Sequence, residues 1–333
     1  MPTPRLVDRI DLPSLATGTT TWFELALPGV PPQTARGPLV AAVRGSADGP
    51  TVYVGSGMHG DELNSIEAVR RLAVSLDPAR VRGTVFFVVA QNQSAVLAGT
   101  RLSPADAKNL DHCFPGDPGG TPSQVLAHVL FEQLVSRCDA VLDLHCASQG
   151  GWNLLYSIVH AEDEATLAAS AALAHAFGCA LVLPVRKQPG RPLGDEFGSA
   201  LDGNLFVRAA LGGRPAAIVE FGGAGSIDEA QVSLGVAGVL NVLRHLDVLD
   251  GRQPRQEGES ARTAVALRCT TSGLLRLFAP SGSRVEAGQL VGVVQGLAGA
   301  AEAITAPHAG TIVRMTTSGS VSAGDRIVTM ASR

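Results

Sequence analysis

Apolar runs recur along the chain at the intervals of a layered α/β protein. Residues 51–57 (TVYVGSG) and 84–90 (TVFFVVA) are rich in β-branched and aromatic side chains and bounded by Gly or polar residues, the pattern of buried strands. Between them, Ile66, Val69, Leu72, Ala73 and Leu76 recur at helical spacing, which predicts a helix over 64–76. The alternation continues with helix 121–136, strand 140–145, helix 161–177, strand 180–184, strand 216–221 and helix 228–245. Strands interleaved with helices imply an α/β fold with a largely parallel sheet. Functional residues are then expected at the carboxyl ends of the strands.

The pattern changes at 250–260 (DGRQPRQEGES), a polar stretch without periodicity that reads as a linker. From Thr263 onward, short alternating runs are separated by Gly, Pro and Ser, so a small all-β module is expected. Within it, RVEAGQLVGVV from Arg284 is echoed by SVSAGDRIVTM from Ser320, an internal repeat of 36 residues. Two such half-units can close into one small barrel-sandwich.

At 333 residues the chain has room for about two domains, here a larger unit over 1–252 and a β-rich module over 253–333. With 45% hydrophobic and 17% charged residues, it can bury a substantial core and is not disordered. A net charge of -4 without a Lys/Arg block argues against nucleic acid or an anionic membrane as a partner. The five cysteines are scattered with no C-x-x-C pair, so neither a disulfide framework nor a thiolate zinc site is indicated. The N-terminal stretch MPTPRLVDRIDLP lacks the apolar segment of a signal peptide, and a cytoplasmic location is the expectation.

The duplicated V-x-A-G pattern, with APHAGTIV between its copies, resembles a biotinyl/lipoyl-type barrel. A carrier of that kind needs a lysine on an exposed hairpin, but the only lysines are Lys108 and Lys187, both outside the module. Covalent biotin or lipoate is excluded on chemistry, leaving a structural or oligomerisation role; whether the chain forms a homo-oligomer is open.

The candidate chemistry begins at 57–62 (GMHGDE), where a strand ends and a helix is about to start. His59 and Glu62, three positions apart in a turn, can converge on one metal ion, and an imidazole with a carboxylate suits Zn²⁺. His145, at the last position of a buried strand, can supply a third ligand. A His/Glu/His set with an open fourth position is the arrangement of catalytic zinc. Glu220, near the end of another buried strand and followed by glycines, is the candidate general base and later acid. Other features carry less. The 222–226 segment (GGAGS) lacks a Walker lysine and Rossmann spacing, and reads as a flexible turn. Cys146 reads as a small packing residue rather than a nucleophile.

Together, GMHGDE (57–62), RLSPADAKNLDHCFPG (101–116), LDLH (142–145) and VEFGG (219–223) resemble the succinylglutamate desuccinylase/aspartoacylase family, relatives of the zinc carboxypeptidases. The resemblance spans about residues 40–330. It implies a mixed, largely parallel sheet flanked by helices with a small C-terminal all-β module. It also implies a hydrolase, with one zinc ion per chain, that cleaves the amide bond of a small N-acyl amino acid. His59, Glu62 and His145 match the family's zinc ligands, Glu220 its acid/base, and Arg101 the arginine that polarises the scissile carbonyl. Asn109 falls at a substrate-site position.

Asp111 and His112 depart from the family, which usually has Asn-Arg there to clamp a substrate carboxylate. A carboxylate and an imidazole in their place remove about one to two units of positive charge. The expected substrate therefore has a neutral or cationic amine portion, such as an N-acetyl diamino acid or a β-aspartyl-arginine dipeptide. Arg186, Arg191 or Arg208 could instead restore the clamp. The alternative reading is a catalytically inactive relative that binds metal and ligand.

Overall fold

A computed structural model describes residues 3–187, 190–194, 200–223, 225–251, 259–261 and 263–332. The N-terminal part builds β1 (Arg5–Val7), β2 (Thr19–Leu25), β3 (Leu39–Arg44) and β4 (Ala47–Gly55). Next come α1 (Leu63–Ser75), β5 (Arg82–Ala90), α2 (Gln93–Ala98), α3 (Pro122–Gln133), β6 (Ala140–His145) and β7 (Gly151–His160). The α/β part closes with α4 (Glu164–Phe177), β8 (Leu181–Val185), α5 (Leu205–Leu211), β9 (Ala216–Gly223) and α6 (Glu229–His245).

Each helix and strand expected from periodicity in this part is present, and capping chemistry explains the shifted boundaries. Helix α4 starts three residues later than expected because Asp163 accepts a hydrogen bond from Thr166 N at 2.8 Å, fixing the N-cap there. Thr121 N donates to Gln124 Oε1 at 3.0 Å, so the N3 side chain closes the start of α3 at Pro122. Helices α1, α4 and α6 pack beside one another against the sheet.

Strands β5, β4, β6 and β9 lie in that order and pair in parallel, while β2, β3 and β7 join antiparallel. The sheet is thus mixed with a parallel centre, and its central strands β5, β6 and β9 are largely buried. Strand β7 escaped the reading of the sequence. Its segment GWNLLYSIVH mixes Asn153, Ser157 and His160, all buried, with apolar residues, so neither period dominates.

The module contains β10 (Glu259–Ser260), β11 (Thr263–Arg268), β12 (Gly273–Leu277), β13 (Arg284–Val285), β14 (Leu290–Gly296) and β15 (Ala301–Thr305). It ends with β16 (Gly310–Thr316), β17 (Ser320–Val321) and β18 (Arg326–Ser332). Most of the expected linker lies outside the described residues, but its end, as β10, pairs with β8. The repeat is structural: β12 to β14 correspond to β16 to β18, β12 pairs with β14 as β16 does with β18, and each short strand pairs across to the other copy. Val291, Val294, Ile304, Ile312, Ile327 and Met330 form a core of its own.

The module is not a separate body, however. The free edge of β7 is shared, its second half pairing with β8 and its first three residues with β16, where Arg314 lies opposite Asn153 and Met315 opposite Trp152. The main sheet therefore runs on through β16 and β18 to β11. Val313 and Ala331 accordingly belong to the main core.

Candidate active site

The adjacent strands β4, β6 and β9 end at the same edge, and three of the candidate side chains come from these ends. After β4 the chain turns through His59 into α1. Gly57 takes φ +67°, a left-handed conformation that favours glycine, and a Cβ at Gly60 would lie 1.9 Å from Ala95 O. The turn is thus pressed onto α2, and Gly60 N donates to Thr100 O at 2.9 Å. This close fit holds His59 and Glu62, both only 2% exposed, at the head of α1.

His59 Nδ1 lies 2.8 Å from Glu62 Oε1, and His145 Nδ1 lies 3.0 Å from Glu62 Oε2. One ligand atom from each residue falls within 4.8 Å of the other two, a group that could hold a metal ion. The far nitrogens are also committed, His59 Nε2 to Asn109 Oδ1 at 2.9 Å and His145 Nε2 to Asp143 Oδ2 at 3.2 Å. Each imidazole thus lies between two oxygen acceptors, and with a metal at the Nδ1 positions the protons would sit on Nε2, the tautomer a metal ligand needs. Asp143 is itself held by Gln91, whose Nε2 donates at 2.5 Å. Burial would push the Glu62 carboxyl up, but His59 and His145 hold it well below the usual carboxylate range. The donor set and the acceptors behind it fit a zinc ion.

Arg101, on the loop after α2, donates from Nη1 to Glu62 Oε1 at 3.1 Å and to Ser148 Oγ at 2.6 Å. Glu220 on β9 is in register with His145 on β6, so the two side chains emerge side by side. Asn153 on β7 donates from Nδ2 to Glu220 Oε2 at 2.6 Å. Burial pushes the Glu220 carboxyl up to about 7, with Glu62 adding to the rise and His145, Arg101 and Arg314 opposing it.

These groups surround a cavity of about 240 Å³ lined by His59, Glu62, Arg101, His145 and Glu220, with Asp111 and His112 also on its wall. Asp111 is buried and His112 exposed at the rim. Asn109 lies behind His59 rather than on the cavity wall, and its contact is with the imidazole. None of Arg186, Arg191 and Arg208 lines the cavity. Arg186 instead pairs with Glu164 at the surface. Burial drives the Cys146 thiol well up, against a nucleophilic role, and its N–H donates to Glu62 Oε2 at 3.1 Å.

Residues that went unread in the sequence add to the wall, among them Asn153, Tyr156, Asn204, Arg314, Arg326 and Thr329. Asn204 Nδ2 donates to Asp111 Oδ2 at 2.5 Å. The only sequence signal for Arg314 is a cation in the middle of an apolar strand, GTIVRMT.

The catalytic-domain profile of succinylglutamate desuccinylase/aspartoacylase matches residues 48–246, more than half of the chain. The chain belongs to the succinylglutamate desuccinylase/aspartoacylase family. This is a deacylase family acting on amide bonds of small molecules. Among similar proteins, N-alpha-acetyl-L-2,4-diaminobutyric acid deacetylase of Halomonas elongata is 29% identical over 262 residues, covering 76% of this chain and 72% of that protein. The succinylglutamate desuccinylase/aspartoacylase structure from Rhodobacter sphaeroides is 25% identical with a TM-score of 0.82, covering 97% of each chain. The product-bound ectoine utilization protein EutE (DoeB) from Ruegeria pomeroyi, 24% identical with a TM-score of 0.83 over 97% of this chain and 98% of that one, shares the fold. Fold similarity to these two structures thus extends through the β module. No helix among the described residues is long and apolar enough to cross a membrane.

Proposed function

We propose that the protein is a zinc-dependent deacylase that hydrolyses the amide bond of a small N-acyl diamino acid. The observation that carries this reading is the buried His59, Glu62 and His145 group with Glu220 in register beside it. When bound there, a zinc ion supplies Lewis acidity, polarising a carbonyl and acidifying water at the site. Glu220 then takes the proton of the attacking water and returns it to the leaving amine; a carboxyl near 7 suits both tasks at neutral pH. Asn153 fixes one oxygen of that carboxylate. Arg101 is placed to donate to the carbonyl oxygen as negative charge builds on it.

The polarity of the wall supports a cationic amine portion. Asp111 Oδ1 and Asn204 Oδ1 are buried without a hydrogen-bond partner among the described residues. Asp111 and Asp143 also lie in one group with His145. With His145 Nε2 facing Asp143, an ammonium group suits these acceptors better than a second metal ion. The named substrate of the Halomonas relative carries such an ammonium. In this reading, residues 1–252 are the hydrolase domain and 253–333 a β module sharing its sheet.

The test is a kinetic panel on the zinc-loaded chain with N-acetyl-2,4-diaminobutyrate, a neutral N-acetyl amino acid and N-acetylaspartate. Hydrolysis of the diamino acid derivative at least tenfold faster in kcat/KM, abolished by chelation and restored by zinc, is the expected outcome. Preference for N-acetylaspartate overturns the substrate class, and binding without turnover of any compound overturns the enzyme reading.

A further inference from the structure

The cavity has an arginine-rich side that the reaction described above does not use. Across three neighbouring strands, Asn153 of β7 lies opposite Arg314 of β16, which lies opposite Thr329 of β18. Directly paired residues project from the same face of a sheet, at strand spacings of about 4.8 Å. The side chain that holds Glu220 is therefore followed by a guanidinium and then by a hydroxyl, all lining one wall. Thr329 is 2% exposed, and its Oγ1 has no hydrogen-bond partner among the described residues. Arg326, at the start of β18, brings a second guanidinium to the same wall.

Two cations gathered in a half-buried pocket repel each other and lose hydration, and an anionic ligand would offset both costs. Burial pulls both guanidinium pKa values down, Arg326 to about 10 with the Arg314 charge contributing, although Tyr156 and Glu220 oppose the fall. In an N-acyl α-amino acid the carboxylate is attached to the carbon that bears the leaving nitrogen. Arg314 lies two strands from Glu220, across the strand that carries Asn153, a separation of about 10 Å that the substrate and the long arginine side chain span together.

We infer that Arg314, with Arg326 and Thr329, forms a carboxylate-binding subsite that the C-terminal module contributes to the active site. It takes over the role of the anion clamp missing at Asp111 and His112, from the opposite end of the sequence. The inference rests on the deacylase reading for the position of the carboxylate, but its evidence lies in different residues.

The test compares the full-length, zinc-loaded chain with its Arg314→Gln and Arg326→Gln variants on N-acetyl-2,4-diaminobutyrate and on the same compound with its carboxylate converted to a carboxamide. Loss of a charge-assisted hydrogen bond to the carboxylate should raise KM for the first by about 10- to 100-fold in Arg314→Gln and leave KM for the carboxamide within about threefold. Arg314→Lys, which keeps the charge but not the fork, should fall between and serves where the glutamine variant folds poorly. Equal losses on both substrates, or none on either, overturn the subsite. Calorimetric binding of 2,4-diaminobutyrate and its carboxamide separates the two readings. If no compound is hydrolysed yet carboxylate binding still depends on Arg314, the deacylase reading fails and the subsite stands.

Discussion

The two sides of the cavity are built in different ways. One side consists of strand ends and the turns after them: His59 and Glu62 follow β4, His145 ends β6, and Glu220 lies near the end of β9. There each functional group is backed by another, Asn109 behind His59, Gln91 behind Asp143 and Asn153 behind Glu220. The other side comes from within two strands of a module with its own core, stitched to β7 by a short antiparallel register. A parallel sheet edge collects groups that must meet at one point, whereas a grafted sheet edge adds charge along a row. The first arrangement suits bond making and breaking, and the second suits recognition of a carboxylate beside the reacting bond.

The largest expected effect falls on the strand-end side. Glu220→Gln should lower kcat by about 10²- to 10⁴-fold, the usual contribution of a general acid/base, while zinc content by metal analysis stays at one per chain. Turnover close to that of the unaltered protein would remove Glu220 from the chemistry and blur the contrast between the two sides.

A smaller effect is expected one contact further out. Asp143→Asn disturbs the acceptor that sets the His145 tautomer, so zinc affinity measured by competition with a chelator should fall about 10- to 100-fold. The same substitution should leave the KM difference between carboxylate and carboxamide substrates intact. If it erases that difference, the two sides do not act independently.

The pH profile sharpens the comparison where the sides meet. A base works only when deprotonated, so with the Glu220 carboxyl at about 7, kcat/KM should rise as pH climbs towards 7 and level off above it. Arg314 is among the charges that pull the Glu220 pKa down. Arg314→Gln should therefore move the rising limb to higher pH, because its loss favours the protonated acid. A limb that stays put or moves to lower pH would show that the module's charge does not reach the base.

The smallest effect belongs to Cys146, which follows His145 on the strand-end side and is buried with its thiol pKa driven up. Cys146→Ala should leave kcat within about threefold of the unaltered protein, as for a residue that only packs. Loss of an order of magnitude, measured on folded protein, would give the thiol a role that its geometry does not explain.

Much of the strand-end side was legible in the chain itself. The strand 140–145 and the helix 228–245 follow from a short apolar run and a long helical period, and those patterns arise from backbone geometry that tertiary contacts leave unchanged. His59, Glu62, His145 and Glu220 could be picked out because they stand where such strands end. Asn109 was legible as a site residue but not in its position: its spacing from Arg101 does not reveal that it lies behind His59. Asn153 was hidden because β7 mixes buried polar and apolar residues without a clear period.

By itself, then, the sequence determined the order of the central strands and the longer helices, the four candidate groups at the strand ends, the duplicated β module and its lack of a carrier lysine. Only the tertiary structure decided that this module continues the main sheet and brings Arg314, Arg326 and Thr329 to the cavity. The physical reason is that local periodicity says which face of a strand is buried but not which distant strand will pair with it. The pairing of β16 with β7 depends on one short register between segments on either side of a linker, and that register alone turns a structural appendage into one wall of the site.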